Sequence, residues 1–211
     1  MDTFPSEEIT DTDVVADFDE VGTPAAEGTL ITVETPLYIG VIDTAGGRIT
    51  SWQLKNYNES TNGDGVLVNL FKNTPPGFDP LVKVKDIELP DFIPFEYIGS
   101  TDISLSEGSK SISMVWSSPE GISVTNTMEF DAATYVIKQR LDISNGSGSP
   151  VVERLYISWF GKVSEQGRGE DSNSFIALVS NDIEKVEKKP EEAIDYKGQI
   201  NWFGYSSKYF M

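Results

Sequence analysis

From Leu30 onward, apolar side chains recur at every second position, in short runs closed by glycine, proline and asparagine. This spacing fits a pleated strand with one face turned inward; a helix face would need apolar residues three and four apart. Ile112, Met114 and Trp116 alternate with Ser111, Ser113, Val115 and Ser117. Residues 122–130 and 135–143 follow the same rule, the second run with Lys138, Arg140 and Asp142 turned outward. Leu37, Ile39 and Val41 alternate with Tyr38, Gly40 and Ile42, and residues 49–54 resume with Thr50, Trp52 and Leu54 on one side. Residues 151–160 put Val151, Leu155, Ile157 and Trp159 on one face.

The joints carry turn chemistry. Ser118-Pro119-Glu120-Gly121 and Asn145-Gly146-Ser147-Gly148-Ser149-Pro150 supply the residues that chain reversals require. Seven or more strands with hairpin-length connections predict an all-β, antiparallel sandwich. Two stretches interrupt the meander. Residues 72–94 hold Pro75, Pro76, Pro80, Pro90 and Pro94, too many for a central strand. Residues 161–173 are glycine-rich and polar, which predicts a mobile loop. The helical signal is weak and late: residues 182–193 are rich in Glu and Lys but contain Pro190. The chain ends on Trp202, Phe203, Tyr205, Tyr209 and Phe210 without a helix cap, which implies that the native chain continues.

Charge divides the molecule in two. Residues 1–29 carry nine carboxylates and no base. Repulsion at this density, with no apolar period, predicts a flexible acidic tether ahead of a sandwich domain at residues 30–211. Over the whole chain, 34 acids against 16 bases give a net charge of -18. Such a chain lacks the basic footprint of a nucleic-acid binder and is not drawn electrostatically to anionic lipid. No run reaches the length of a membrane helix.

The sequence contains neither histidine nor cysteine. Ser-His-Asp and Cys-His catalysis, thiolate chemistry, iron-sulfur clusters, disulfides and the usual histidine-containing metal sites are therefore excluded. Thr44-Ala45-Gly46-Gly47-Arg48 lacks the third spaced glycine of a dinucleotide fingerprint and lies between strands, so it reads as a tight turn with positive φ. Asp79, Asp86 and Asp91 lack calcium-loop spacing. Asp43, Asp131, Glu153, Glu165, Glu170 and Asp171 flank strands or long loops, where a carboxylate pair would serve a histidine-free glycosidase. Trp52, Trp116 and Trp159 fall within strands and suit core packing, whereas Tyr38, Tyr57, Tyr97 or Tyr156 on a concave face would suit a sugar or an extended peptide. Arg48 is read as a surface residue. No catalytic, cofactor or metal residue is assigned.

Three segments together resemble one family. Residues 37–57, with a strand, the Thr44-Ala45-Gly46-Gly47 turn and a second strand ending Leu54-Lys55-Asn56-Tyr57, resemble the start of the large periplasmic domain of the bacterial membrane protein insertase YidC. Phe130 followed by Tyr135-Val136-Ile137 resembles its central strand pair, and Trp202 with Tyr209-Phe210 resembles its exit. The resemblance runs from about Leu30 to Met211. It implies a twisted super-sandwich, similar in shape to mutarotase-like domains, with a small helix packed at its end. It further implies the periplasmic face of the bacterial inner membrane, attachment through segments outside this sequence, and Sec translocon components and nascent membrane proteins as partners. The insertase core is absent, so no insertase residue carries over, and an epimerase is not implied because mutarotases work with histidine. The competing class is a carbohydrate-binding module or a histidine-free glycosidase on the same sandwich. A third is a sandwich adaptor unrelated to membranes.

Overall fold

A computed structural model describes residues 28–59, 65–71, 79–83, 93–148, 154–158, 174–186 and 199–206, with backbone alone at 79–83, 154–158 and 205–206. The regular structure there is all strand: β1 (Leu30–Glu34), β2 (Tyr38–Asp43), β3 (Arg48–Asn58), β4 (Leu67–Asn69), β5 (Asp79–Lys83), β6 (Asp102–Ser104), β7 (Ser109–Ser117), β8 (Ile122–Asp131), β9 (Ile137–Asn145), β10 (Arg154–Ser158), β11 (Ser174–Val179), β12 (Asp182–Val186) and β13 (Ile200–Ser206).

Two sheets make the sandwich. The first has the order β4-β3-β2-β1-β6, antiparallel except where β6 runs parallel to β1. The second is the meander β7-β8-β9. The period-two reading explains why they face each other. On β8, Ile122, Val124, Asn126, Met128 and Phe130 are buried while the residues between them are half-buried. Ile112 and Met114 of β7 join this layer, with Trp116 partly covered beside them. Opposite lie Ile31 and Val33 of β1, Tyr38 and Ile42 of β2, and Ile49, Trp52 and Leu54 of β3, all in one continuous core. Fully burying a side chain of this size contributes about 1.5–3 kcal/mol.

Aromatic stacking registers the centre. The Tyr38 and Trp52 rings lie 4.1 Å apart at 26°, and Trp52 lies 6.3 Å from Phe130 at 24°. Gly40 makes that possible on β2: a Cβ there would come within 2.5 Å of the Trp52 ring. The inward residues of β2 are thus Tyr38, Gly40 and Ile42.

The remaining strands pair apart from these sheets. β5 and β10 form a two-stranded antiparallel ribbon, and β12-β11-β13 form a three-stranded antiparallel sheet. The prolines of residues 72–94 were read as too many for a central strand, and the strand that forms there, Asp79–Lys83, is not a central one. Among the described residues it pairs with β10 alone, and a strand with an outer edge needs no N–H from Pro80 on that side. The late Glu/Lys-rich segment begins as strand β12, and the aromatic exit begins as strand β13, with residues 207–211 outside the described ones. No helix occurs among the described residues; Trp159, the loop at 161–173 and residues 1–27 of the tether at 1–29 lie outside them.

Candidate functional site

The hairpin between β2 and β3 was expected to be a tight turn with positive φ, with Arg48 after it at the surface, and its conformation is the expected one. Gly46 and Gly47 have φ of 84° and 62°. Its environment differs, because every residue from Ile42 to Ile49 is buried. Asp43 begins the reversal: its Oδ1 accepts the Ala45 N–H at 2.8 Å, a side chain imitating a backbone turn. Its Oδ2 accepts from Arg48 Nη2 at 3.3 Å, and the two residues are register partners. The surface assignment for Arg48 is therefore wrong: it is 5% exposed and ion-paired across the closing position of its own hairpin. Sequence periodicity misses this because the hairpin is covered by a segment distant in the chain.

That segment is residues 93–97. The Gly46 N–H donates to Ile93 O at 2.9 Å, and the Phe95 N–H donates to Thr44 O at 3.0 Å. Farther along, Glu96 bridges to Val115 of β7, with hydrogen bonds of 2.8 and 3.0 Å in the two directions. From the opposite sheet, Asn126 Nδ2 donates to Gly47 O at 2.9 Å, while Asn126 Oδ1 accepts from Gln139 Nε2 at 3.0 Å. The proline-broken stretch thus supplies a staple between the two sheets. Asn126, the buried polar residue in the middle of β8, fixes their relative position.

A cleft of 530 Å³ opens beside this staple, lined by Thr29, Thr44, Pro94, Glu96, Val115 and Trp116 among others. Glu96 is its single ionisable lining group among the described residues. With one carboxylate and no second acid or base beside it among the described residues, the cleft can hold a side chain or a short extended segment and shows no acid/base pair there.

The other candidate residues are dispersed. Asp131 closes the β8–β9 turn: its carboxylate accepts from the Ala133 N–H at 2.8 Å and from Ser109 Oγ at 3.1 Å. These bonds, the Ala133 N–H first and the Ser109 hydroxyl next, hold its pKa below the usual carboxylate range. Asp43 is engaged by Arg48, so neither acid faces a partner across a cleft. Glu153, Glu165, Glu170, Asp171, Asp86 and Asp91 lie outside the described residues, as does the side chain of Asp79. No group of three or more potential metal-ligating side chains occurs among the described residues.

Of the aromatic candidates, Tyr38 is fully buried with Trp52 against it, and its hydroxyl donates to Asp131 O at 3.1 Å. Burial pushes the Tyr38 phenol up from its ordinary value. Tyr97 is half-buried, its hydroxyl donating to Ser100 O at 3.1 Å, while Tyr57 is exposed; the Tyr156 side chain lies outside the described residues. Tyr38 and Trp52 are thereby removed from any sugar-stacking platform, and Trp116 packs on the core.

The fold and this site define a class: a β-sandwich domain whose buried polar residues hold its own sheets together. A sequence model described as the YidC periplasmic domain matches residues 30–211. The chain belongs to the YidC periplasmic domain family. It is 26% identical over 190 residues to the membrane protein insertase YidC of Syntrophus aciditrophicus, covering 86% of this chain and 35% of that protein. Against the YidC of Pelobacter propionicus it is 26% identical over 188 residues, covering 86% and 34%, and against that of Nitratidesulfovibrio vulgaris 24% over 208 residues, covering 94% and 39%. The chain thus spans little more than a third of the length of these relatives. Among the described residues no helix is long and apolar enough to cross a membrane.

Proposed function

We propose that this domain is a non-catalytic accessory of a YidC-type insertase, a docking and spacing surface that stands near the Sec translocon and contacts translocon components or emerging membrane polypeptide. The match to the YidC periplasmic domain along residues 30–211 carries the reading. Two further observations support it. The chain lacks histidine and cysteine, and the carboxylates described at Asp43 and Asp131 serve the hairpin and the turn. In the finer reading, the sandwich takes the mutarotase-like super-sandwich shape with a short helix toward its C-terminal end. The acidic segment 1–29 acts as a tether with a root-mean-square reach of about 30 Å.

The test is a photo-crosslinking scan in the full-length insertase in cells, with the probe placed singly at Ser113, Lys138 and Ile98, three exposed positions. Adducts with Sec subunits or with a stalled membrane-protein nascent chain are expected from at least one site. Adducts with neither, while insertion proceeds, would reduce the domain to a spacer.

A further inference from the structure

Strand β9 ends on Asn145, which Gly146 follows. The sequence has one other Asn-Gly pair, Asn62-Gly63, which lies outside the described residues. An asparagine side chain can be attacked by the backbone nitrogen that follows it, closing a five-membered ring. A glycine in that following position presents its nitrogen with no Cβ in the way and with the widest choice of backbone angles. Asn145 and Gly146 are both exposed, so water and hydroxide reach them.

The fold nevertheless holds both reacting groups. The Gly146 N–H donates to Gly121 O at 2.8 Å. Gly121 is itself fixed by the β7–β8 turn: its N–H donates to Ser118 O at 3.1 Å, and the Ser118 N–H donates to Ile122 O at 2.7 Å. On the side-chain half, Asn145 Oδ1 accepts from the Ser147 N–H at 3.0 Å and from Ser147 Oγ at 2.6 Å, a side chain imitating a backbone turn. Packing explains the dipeptide. A Cβ on Gly146 would lie 3.1 Å from Gly121 O, and one on Gly121, whose φ is 89°, would lie 3.2 Å from Gly146 C. The corner favours glycine after Asn145 for close approach and so creates a reactive pair.

We propose that Asn145 is a modification site latched by this corner, converting to aspartate or isoaspartate when the Gly146–Gly121 bond opens. Water and hydroxide are the only co-reactants. Hydroxide takes the Gly146 amide proton, which frees a nitrogen whose lone pair is otherwise delocalised into the planar peptide. That nitrogen bonds to Asn145 Cγ, the Cγ–Nδ2 bond breaks, and the departing nitrogen takes a proton from water and leaves as ammonia. Water then opens the ring at one of its two carbonyls. Opening at Cγ gives aspartate, and opening at the backbone carbonyl gives isoaspartate, with the main chain running through Cβ and Cγ. Nothing is oxidised or reduced. Either product adds a negative charge. Isoaspartate also lengthens the main chain by one carbon beside the Ile122–Asn145 pair that ends the β8–β9 ladder, so an opening in which the ring closes is recorded permanently. The proposal stands on the hydrogen bonds of this corner and is independent of the docking role above.

The test incubates the full 211-residue chain in mildly alkaline buffer, folded or unfolded in guanidinium chloride. Replacement of the amide NH2 by OH is followed by mass spectrometry on the tryptic peptide 141–154, in which Asn145 is the only asparagine. In the unfolded chain Asn145 should convert at a rate like that of Asn62, the other Asn-Gly. In the folded chain it should convert at least about tenfold more slowly, because two pinned groups must be released first. Gly121→Ala, strained by its positive φ and crowded against Gly146, should raise the folded-state rate about tenfold while the melting curve stays cooperative. If that variant does not fold, Ser147→Ala takes its place: loss of one donor to Asn145 Oδ1 should speed conversion about threefold. Equal rates in the folded and unfolded chain would overturn the proposal. So would a folded Gly121→Ala whose rate is unchanged, or a Ser147→Ala that reacts more slowly, since Ser147 would then be stabilising the charge that develops on Oδ1 during attack.

Discussion

Arg48 places a full charge where the sequence pattern gives no warning of burial, and it is paired there with an acid five residues earlier. Removing one member of a buried pair strands the other in a poorly solvated site, which typically costs 3–5 kcal/mol. Arg48→Ala is therefore expected to destabilise the domain by about that much in urea unfolding. Asp43→Asn combined with Arg48→Met keeps an acceptor for the Ala45 N–H and removes both charges of this pair together, so the double variant should be the more stable of the two. A double variant as damaged as the single one would mean that the loss comes from packing. Tyr38 gives a second test. Tyr38→Phe removes the bond to Asp131 O and should cost about 1 kcal/mol. Burial holds the folded-state phenol above its ordinary value, so the folded chain keeps that proton longer than the unfolded one. The associated stability is complete below about pH 10 and is lost as pH rises through the folded-state value. In an ultraviolet titration at 295 nm, one late-ionising tyrosine should disappear in Tyr38→Phe.

Among the elements, the β2–β3 hairpin shows what side-chain pattern can and cannot convey. Gly47 sits at φ 62°, and a Cβ there would lie 2.6 Å from Asn126 Nδ2. The left-handed backbone costs a non-glycine residue roughly 1–2 kcal/mol, and displacing Asn126 removes a bond worth about 1 kcal/mol more. Gly47→Ala should thus lose about 2–3 kcal/mol, and less in an Asn126→Ala background, where that bond is already gone. Equal losses in both backgrounds would show that backbone strain alone is responsible. The turn itself was legible from Gly46-Gly47 because positive φ is a local requirement. The strands of the sandwich were legible for the same reason: alternation along 112–116, 122–130 and 137–143 is a local record of which face is inside. Burial of the hairpin was not legible, because residues 93–97 reach it by backbone hydrogen bonds, which any sequence can make. The strands β11 and β13 were missed on similar grounds. Ser174–Val179 has apolar residues on both faces, and Ile200–Ser206 mixes aromatic, polar and glycine residues, so neither shows a clean period.

For the whole molecule, the decisive quantity is a charge of -18 on 211 residues. A compact state brings like charges together and is destabilised by their repulsion, an effect that salt screens. Raising sodium chloride from about 20 mM to about 300 mM, where the Debye length falls well below 10 Å, should raise the melting temperature by several degrees. A buried ion pair such as Arg48–Asp43 responds far less to salt than exposed charges do, so a flat response would mean that such pairs, and not surface repulsion, dominate the electrostatics. Acid acts in two opposed ways. Protonating crowded surface carboxylates relieves repulsion, so stability should first rise as pH falls from 7 toward the carboxylate range. Asp131 has the opposite sign. Its folded-state pKa lies below the ordinary value of an aspartate because the folded turn supplies donors to the charged form. Its contribution is present above that value and is lost as pH falls through the lower, folded-state one. Melting temperature against pH should accordingly pass through a mildly acidic maximum and then fall. Asp131→Asn keeps an acceptor for the Ala133 N–H but cannot ionise, so it should lower stability near neutral pH and flatten the acid limb. An acid limb of unchanged steepness in that variant would assign the fall to carboxylates other than the one that closes the β8–β9 turn.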